Sequence, residues 1–222
     1  MRRDDLVARH PVLYHMAEDG TWPSIQVHGL LSTQALVDLF GPPPDVRDAI
    51  LREVRPRSIT LNDSTLGSAV IRDQKPLKFL AECLVPGTSP QQFLDALNGR
   101  VFFWLTRDRL QRLLGAKLYR EKQHTVLQVD TSQLIARYGD SVELAPYNTG
   151  SMHVPSAPPR GTDVFVPIDA YPYDAWRAKR GSNADAAVEL TVPYSVPAIE
   201  TMTRRVELWK GGAATEVLFE RQ

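Results

Sequence analysis

No strand-type run in this chain exceeds about six residues, and helical periodicity is crowded into its first half. Spacing and capping residues such as Ser32, Ser89 and Thr106 predict helices at 32–40, 44–54, 76–84, 89–98 and 106–114. Runs rich in β-branched and aromatic residues predict strands at Ser58–Leu61, Val101–Leu105, Thr125–Val129, Val142–Leu144, Val164–Val166 and Val188–Val192. Helices and strands do not alternate as a doubly wound parallel sheet requires, and no repeat period emerges. The expectation is an α+β fold with a compact mixed sheet, helices concentrated in the N-terminal half, and one domain over residues 1–222.

Charge excludes some partners. Lys plus Arg and Asp plus Glu are 26 each, so no net field draws the molecule to nucleic acid or an anionic membrane, and any such contact must be local. The basic residues are mostly arginine, whose planar fork suits carboxylate and phosphate. Cys83 is the single cysteine, which excludes an internal disulfide; in FLAECLVP it reads as an inert core thiol. The histidines, at 10, 15, 28, 124 and 153, lack the spacing and flanking carboxylates of a zinc site, so no metal is expected. Neither G-x-G-x-x-G, nor G-x-x-x-x-G-K-[ST], nor G-x-S-x-G occurs. MRRDDLVARH lacks the apolar core of a signal peptide, and no stretch approaches the roughly 18 apolar residues of a membrane span. A cytoplasmic protein is expected.

Three separated clusters carry chemistry. In PVLYHMAEDGTWPSIQVHGLLS, residues 11–32, an apolar run ends at Tyr14-His15. Asp19 or Thr21, then Pro23, open a short helix that Gly29 closes. His15 is therefore expected at a strand end, facing a cleft. In RVFFWLTRDR an aromatic strand runs into a Thr-capped helix bearing Arg107 and Arg109; its aromatics can stack planar rings or simply pack the core. Near residue 189, alternation puts Val188, Leu190 and Val192 on the core face and Glu189 with Thr191 on the other. Glu189 is expected to be accessible, either on a half-solvated strand or in a cleft that tunes it. The segment from Pro146 to Arg160, with four prolines, is long enough to be a substrate loop. Its Asn148-Thr149-Gly150 turn is a candidate contact or a plain Asx-type turn. Arg72-Asp73 and Arg177 to Arg180 are further candidate substrate contacts or merely solvated charge.

Together these clusters resemble the ADP-ribosyltransferase superfamily, most closely its DarT-like group, whose members modify nucleic acid using NAD. LYHMAEDGTWPSIQVHGLLS resembles that group's first motif, an L-x-H-[IM] strand followed by a helix and G-L-x-S. FFWLTR is similar to its aromatic strand ending in arginine, and ELTVPYSVP to its closing glutamate motif. The stretches RDQKPL and YPYDAWRAKR also resemble a bacterial family of unassigned function. The resemblance implies a split sheet and NAD as co-substrate. It implies Glu189 and Arg107 as catalytic residues, Arg107 on the pyrophosphate, and His15 on the adenosine ribose. Tyr14, Gly29, Leu30 and Ser32 would frame the dinucleotide, and Phe103 or Trp104 would stack the nicotinamide. The acceptor implied is a nucleic-acid base or hydroxyl, alternatively a protein side chain, and such a toxin can be accompanied by an antitoxin or a reversing hydrolase. Rival expectations are an RNA 2′-phosphotransferase, which would not need Glu189, and a module that binds NAD without turnover.

Overall fold

The computed structural model describes residues 1–181 and 185–221. Helix α1 (Arg3–Arg9) leads into β1 (Val12–Glu18), α2 (Trp22–His28), β2 (Leu30–Leu31), α3 (Thr33–Phe40) and α4 (Pro44–Arg52). The hairpin β3 (Ile59–Asp63) and β4 (Gly67–Ile71) precedes α5 (Pro90–Asn98), β5 (Arg100–Trp104), α6 (Arg107–Leu114), β6 (Gln123–Asp130) and α7 (Thr131–Tyr138). After β7 (Glu143–Ala145) come β8 (Val166–Pro167), α8 (Tyr173–Arg180), β9 (Glu189–Pro193), β10 (Ser195–Val196), β11 (Thr203–Lys210) and β12 (Ala213–Glu220).

Eight strands form one sheet in the order β12-β11-β6-β1-β5-β9-β7-β8. The α+β architecture is as expected, but the sheet is not mixed: among the described residues every pair of these strands is antiparallel. Strand β1 pairs with β6 along its whole length, from Val12↔Asp130 to Glu18↔His124. Its other edge meets β5 at one position, Tyr14↔Trp104. Beyond that rung the sheet splits, and both strand edges are left open. His15 consequently lies mid-strand rather than at a strand end; what ends beside it is the pairing, not β1.

Both faces are covered. Leu13, Phe103, Leu127, Leu144, Leu190 and Val206 pack with Leu6 of α1, Ile25 of α2 and Leu134 of α7. Met16, Val126 and Trp209 pack against Leu110 and Leu114 of α6. Each fully buried Leu or Phe here contributes about 1.5–3 kcal/mol of transfer free energy. The caps read from sequence hold at α3, where Ser32 Oγ accepts from Ala35 N, and at α5, where Ser89 and Gln92 form a reciprocal capping box behind Pro90. Thr106 occupies the N-cap of α6 without a side-chain bond.

Two predicted elements fail for one reason. Residues 76–84 form turns and a 3-10 segment at Ala81–Cys83 instead of an α-helix. Their backbone groups pair with the proline-rich segment: Phe79 N donates to Met152 O, Met152 N to Pro76 O, Val85 N to Arg160 O, and Arg160 N to Cys83 O. That segment is thus a pinned strap rather than a free loop, with Met152 completely buried. Its return forms a 3-10 turn at Thr162–Val164, which displaces the strand predicted at 164–166 to Val166–Pro167. Cys83 is buried. No helix among the described residues is long and apolar enough to cross a membrane.

Candidate functional site

A cavity of about 300 Å³ opens where β1 and β5 part. Consecutive residues line it, His15 to Glu18 from one strand and Arg100 to Trp104 from the other. Side chains alternate between faces along a strand, so an unbroken run of lining residues means that the cavity is walled by the strands' hydrogen-bonding edges. The helical wall is α2 with Gly29, Leu30 and Ser32; the far wall is Asn148, Thr149, Gly150 and Glu189.

At the split, His15 Nδ1 lies 2.8 Å from the carbonyl oxygen of Phe102. A carbonyl only accepts, so Nδ1 carries the proton and Nε2 is the acceptor. Burial pushes the imidazole down to about 4, with the Arg72 charge acting in the same direction, so the ring is neutral at physiological pH. Phe103 tilts against it with ring centroids 5.8 Å apart.

Glu189 opens β9 directly opposite Trp104, which on its other side faces Tyr14. Strands lie about 4.8 Å apart, so two spacings put the Glu189 and Tyr14 backbones about 10 Å apart, with His15 next along β1. The alternation expected around residue 189 holds for Leu190 and Val192, which pack in the main core, and Val188 is buried as well. The expected accessibility does not. Glu189 is only 4% exposed, because the strap covers the second face of β9. Thr149 donates to Glu189 Oε2 from its backbone N at 3.1 Å and its hydroxyl at 2.7 Å. Oε1 has no protein donor among the described residues. Burial raises this carboxyl to about 7, opposed by the Thr149 bonds and the charges of Arg160 and Arg109.

Of the arginines lining the cavity, two are fully engaged. Arg100 grips Glu143 through Nε at 2.6 Å and Nη2 at 2.9 Å. Arg55, buried, donates to Ile50 O, Asn98 Oδ1 and the backbone oxygen of Arg72. Arg72 differs: its Nε is buried without a hydrogen-bond partner, Glu18 lies 3.8 Å away, and the guanidinium stacks 5.3 Å from the Tyr119 ring centroid. Among the described residues it is the cavity cation held by the longest ion pair, which leaves it the one best placed to take an anion.

The cavity therefore gathers His15, Gly29, Leu30, Ser32, Arg72, Phe103, Trp104, Asn148, Thr149 and Glu189. It leaves out Tyr14, Arg107 and Arg177. Tyr14 sits at the last closed rung and packs with Met16 and Trp209. Arg107 begins α6, whose apolar side is drawn under the sheet, and its guanidinium lies 5.2 Å from the Trp209 ring centroid. Arg177 lies on α8, outside the cavity lining. Sequence patterns overlooked Glu18, Arg55, Asn98 and Tyr119; Arg55 and Asn98 terminate or follow helices and carry no motif that marks them.

Gly29 follows α2 with φ +80°, and a Cβ there would stand 2.8 Å from Val196 O and 2.9 Å from Pro197 Cα. Both the left-handed backbone and the close approach of β10 require glycine.

No curated protein sequence matches this chain. Residues 11–203, from the residue before β1 to the first of β11, match the model of a Family of unknown function (DUF7002). That span contains every residue of the cavity wall, and the chain belongs to this family.

Proposed function

We infer that the chain is an NAD-dependent ADP-ribosyltransferase, moving ADP-ribose from NAD to a nucleic-acid base or hydroxyl with release of nicotinamide. One observation carries the inference: an imidazole acceptor, His15 Nε2, and a partly free carboxylate, Glu189 Oε1, wall the same split on strands whose backbones lie about 10 Å apart. That separation suits two riboses of one extended dinucleotide.

The chemistry follows from the groups present. Breaking the bond from C1″ to nicotinamide develops positive charge on the ribose, as in glycoside cleavage, where carboxylates stabilise an oxocarbenium-like state. Glu189 Oε1 accepts from the 2″-hydroxyl and opposes that charge from a buried position. With its proton affinity near neutrality, the same carboxyl can take the proton of an attacking hydroxyl or amine. His15 Nε2 accepts from a hydroxyl of the adenosine ribose. Arg72 meets the diphosphate, the role that the sequence resemblance gave to Arg107. Trp104, half-buried at the split, offers the stacking face; Phe103, 1% exposed, contributes an edge.

The test is incubation with labelled NAD and mixed oligonucleotides, followed by mass analysis. An ADP-ribosyl adduct with free nicotinamide, absent in Glu189→Gln, is expected. Turnover that survives Glu189→Gln, or NAD bound without nicotinamide release on any acceptor, overturns the inference.

A further inference from the structure

Arg160 raises a physical question that the proposed chemistry leaves unanswered. It is 4% exposed, yet it makes no ion pair among the described residues. Its guanidinium donates only to carbonyls, Nη1 to Pro158 O and Nη2 to Asn148 O, both at 3.1 Å. Nε is buried without a partner, and the Tyr147 ring centroid is 5.3 Å away. Burying an arginine without a carboxylate is costly, and desolvation lowers its proton affinity accordingly.

Glu189 has the complementary problem. It is a buried carboxylate with no ion-pair partner among the described residues, and its hydrogen bonds come from Thr149 alone. The two deficits meet in one peptide unit. The carbonyl of Asn148 takes the Arg160 hydrogen bond, and the N–H on the other side of that same amide, at Thr149, donates to Glu189 Oε2. A cation at the oxygen end polarises the amide, and its N–H becomes a stronger donor to the anion.

We propose that Arg160 is a positioning residue acting through the Asn148–Thr149 peptide. It holds Glu189 with Oε2 clamped and Oε1 turned to the cavity, and shifts the carboxyl toward its ionised form without touching it. The catalytic consequence rests on the ADP-ribosyltransferase reading; the electrostatic arrangement does not. The other charges facing Glu189 do not substitute for Arg160. Arg109 is spent on Asp185 at 2.8 Å, and Arg100 on Glu143, which also accepts from Thr191 on β9. His15 is neutral. The strap is thereby assigned a purpose, since its fixed ends at Met152 and Arg160 bring one amide between a guanidinium and a carboxylate.

The test is the titration of the Glu189 carboxyl, followed by carbon NMR in protein labelled at glutamate and assigned with Glu189→Gln. Arg160→Met should raise its midpoint by about one pH unit, a ten-fold change in ionisation constant. Arg160→Lys should restore part of the shift, and Thr149→Val, which keeps the amide and removes the direct hydroxyl bond at 2.7 Å, should raise the midpoint on its own account. An unchanged midpoint in a folded Arg160→Met protein overturns the proposal. Should Arg160→Met not fold, Arg160→Gln, a neutral side chain that can still donate to a carbonyl, decides it by the same midpoint: a rise supports the relay and an unchanged value overturns it. Nicotinamide release gives a second readout: in Arg160→Lys its acidic limb should move to higher pH with KM for NAD unchanged and kcat recovered above the limb. A wild-type protein without NAD turnover would remove the proposed function and leave the titration to judge the relay.

Discussion

His15 donates from Nδ1 to the carbonyl oxygen of Phe102 at 2.8 Å, just beyond the last rung between β1 and β5. The side chain stands in for the ladder bond that the split removes, and it fixes the tautomer that leaves Nε2 as an acceptor. Protonation is held down to about 4, so the affinity His15 lends to ADP-ribose should stay level from pH 8 to pH 5. His15→Ala should weaken that affinity by roughly ten-fold, the worth of one hydrogen bond in a partly buried site. Calorimetric titration across this range checks both; a steep loss between pH 7 and 6 would contradict the neutral ring.

Glu189 should trade stability for chemistry. Folding raises its pKa from 4.5 to about 7, so the folded state favours the protonated form. That contribution is fully present below pH 4.5 and is lost as the pH rises through 7. At pH 8 the wild type carries a buried, ionised carboxylate, and Glu189→Gln should be more stable by on the order of 2 kcal/mol. The gap should close toward pH 4.5 in urea denaturation. Nicotinamide release should fall by about 10²–10³-fold in the same variant, the usual cost of removing one preorganised electrostatic group.

The two arginines should separate cleanly. Arg72→Met should weaken ADP-ribose binding by roughly ten-fold or more, since a charge-assisted hydrogen bond is worth about 1.5–3 kcal/mol, and should leave adenosine binding unchanged. Arg107→Met, which frees the Trp209 ring outside the cavity lining, should leave both affinities alone. Direct binding titrations with the two ligands discriminate them.

Gly29→Ala should destabilise the fold by about 1–3 kcal/mol, because φ +80° is strained for an L-residue and the new methyl meets Val196 O and Pro197 Cα. The measurement is a urea midpoint. Ligand affinity should fall with it, since Gly29 and Leu30 form part of the cavity wall.

Elements whose cause is local were legible before folding. Ser32, Ser89 with Gln92, and Gly29 mark helix ends through bonds to neighbours within three or four residues, and the 188–192 alternation described one face of β9 correctly. What failed was set by distant partners. Residues 76–84 have a helical pattern, but their amides and carbonyls are claimed by a strap some 75 residues later. Glu189 is on the face alternation assigns, and only the strap determines that this face is sealed. Arg107 shows the same limit, for its position beside an aromatic strand is a matter of sequence, while the direction of α6 is set by Leu110 and Leu114 seeking Met16 and Trp209. The hairpin of β11 and β12 was readable and passed over: Gly211-Gly212, both at positive φ, is a two-residue turn signal between runs rich in β-branched and aromatic residues.

The central place of β1 between β6 and β5 governs when this protein can exist at all. One cavity wall is made by residues 15–18 and the opposite one by Glu189, and closure between such remote segments comes late in folding. A growing polypeptide on the ribosome holds His15 long before Glu189, and has no pocket until β9 has emerged. Termination anywhere upstream of β9 would yield a fragment without this pocket, and whatever the cleft accomplishes is withheld until β9 has been made.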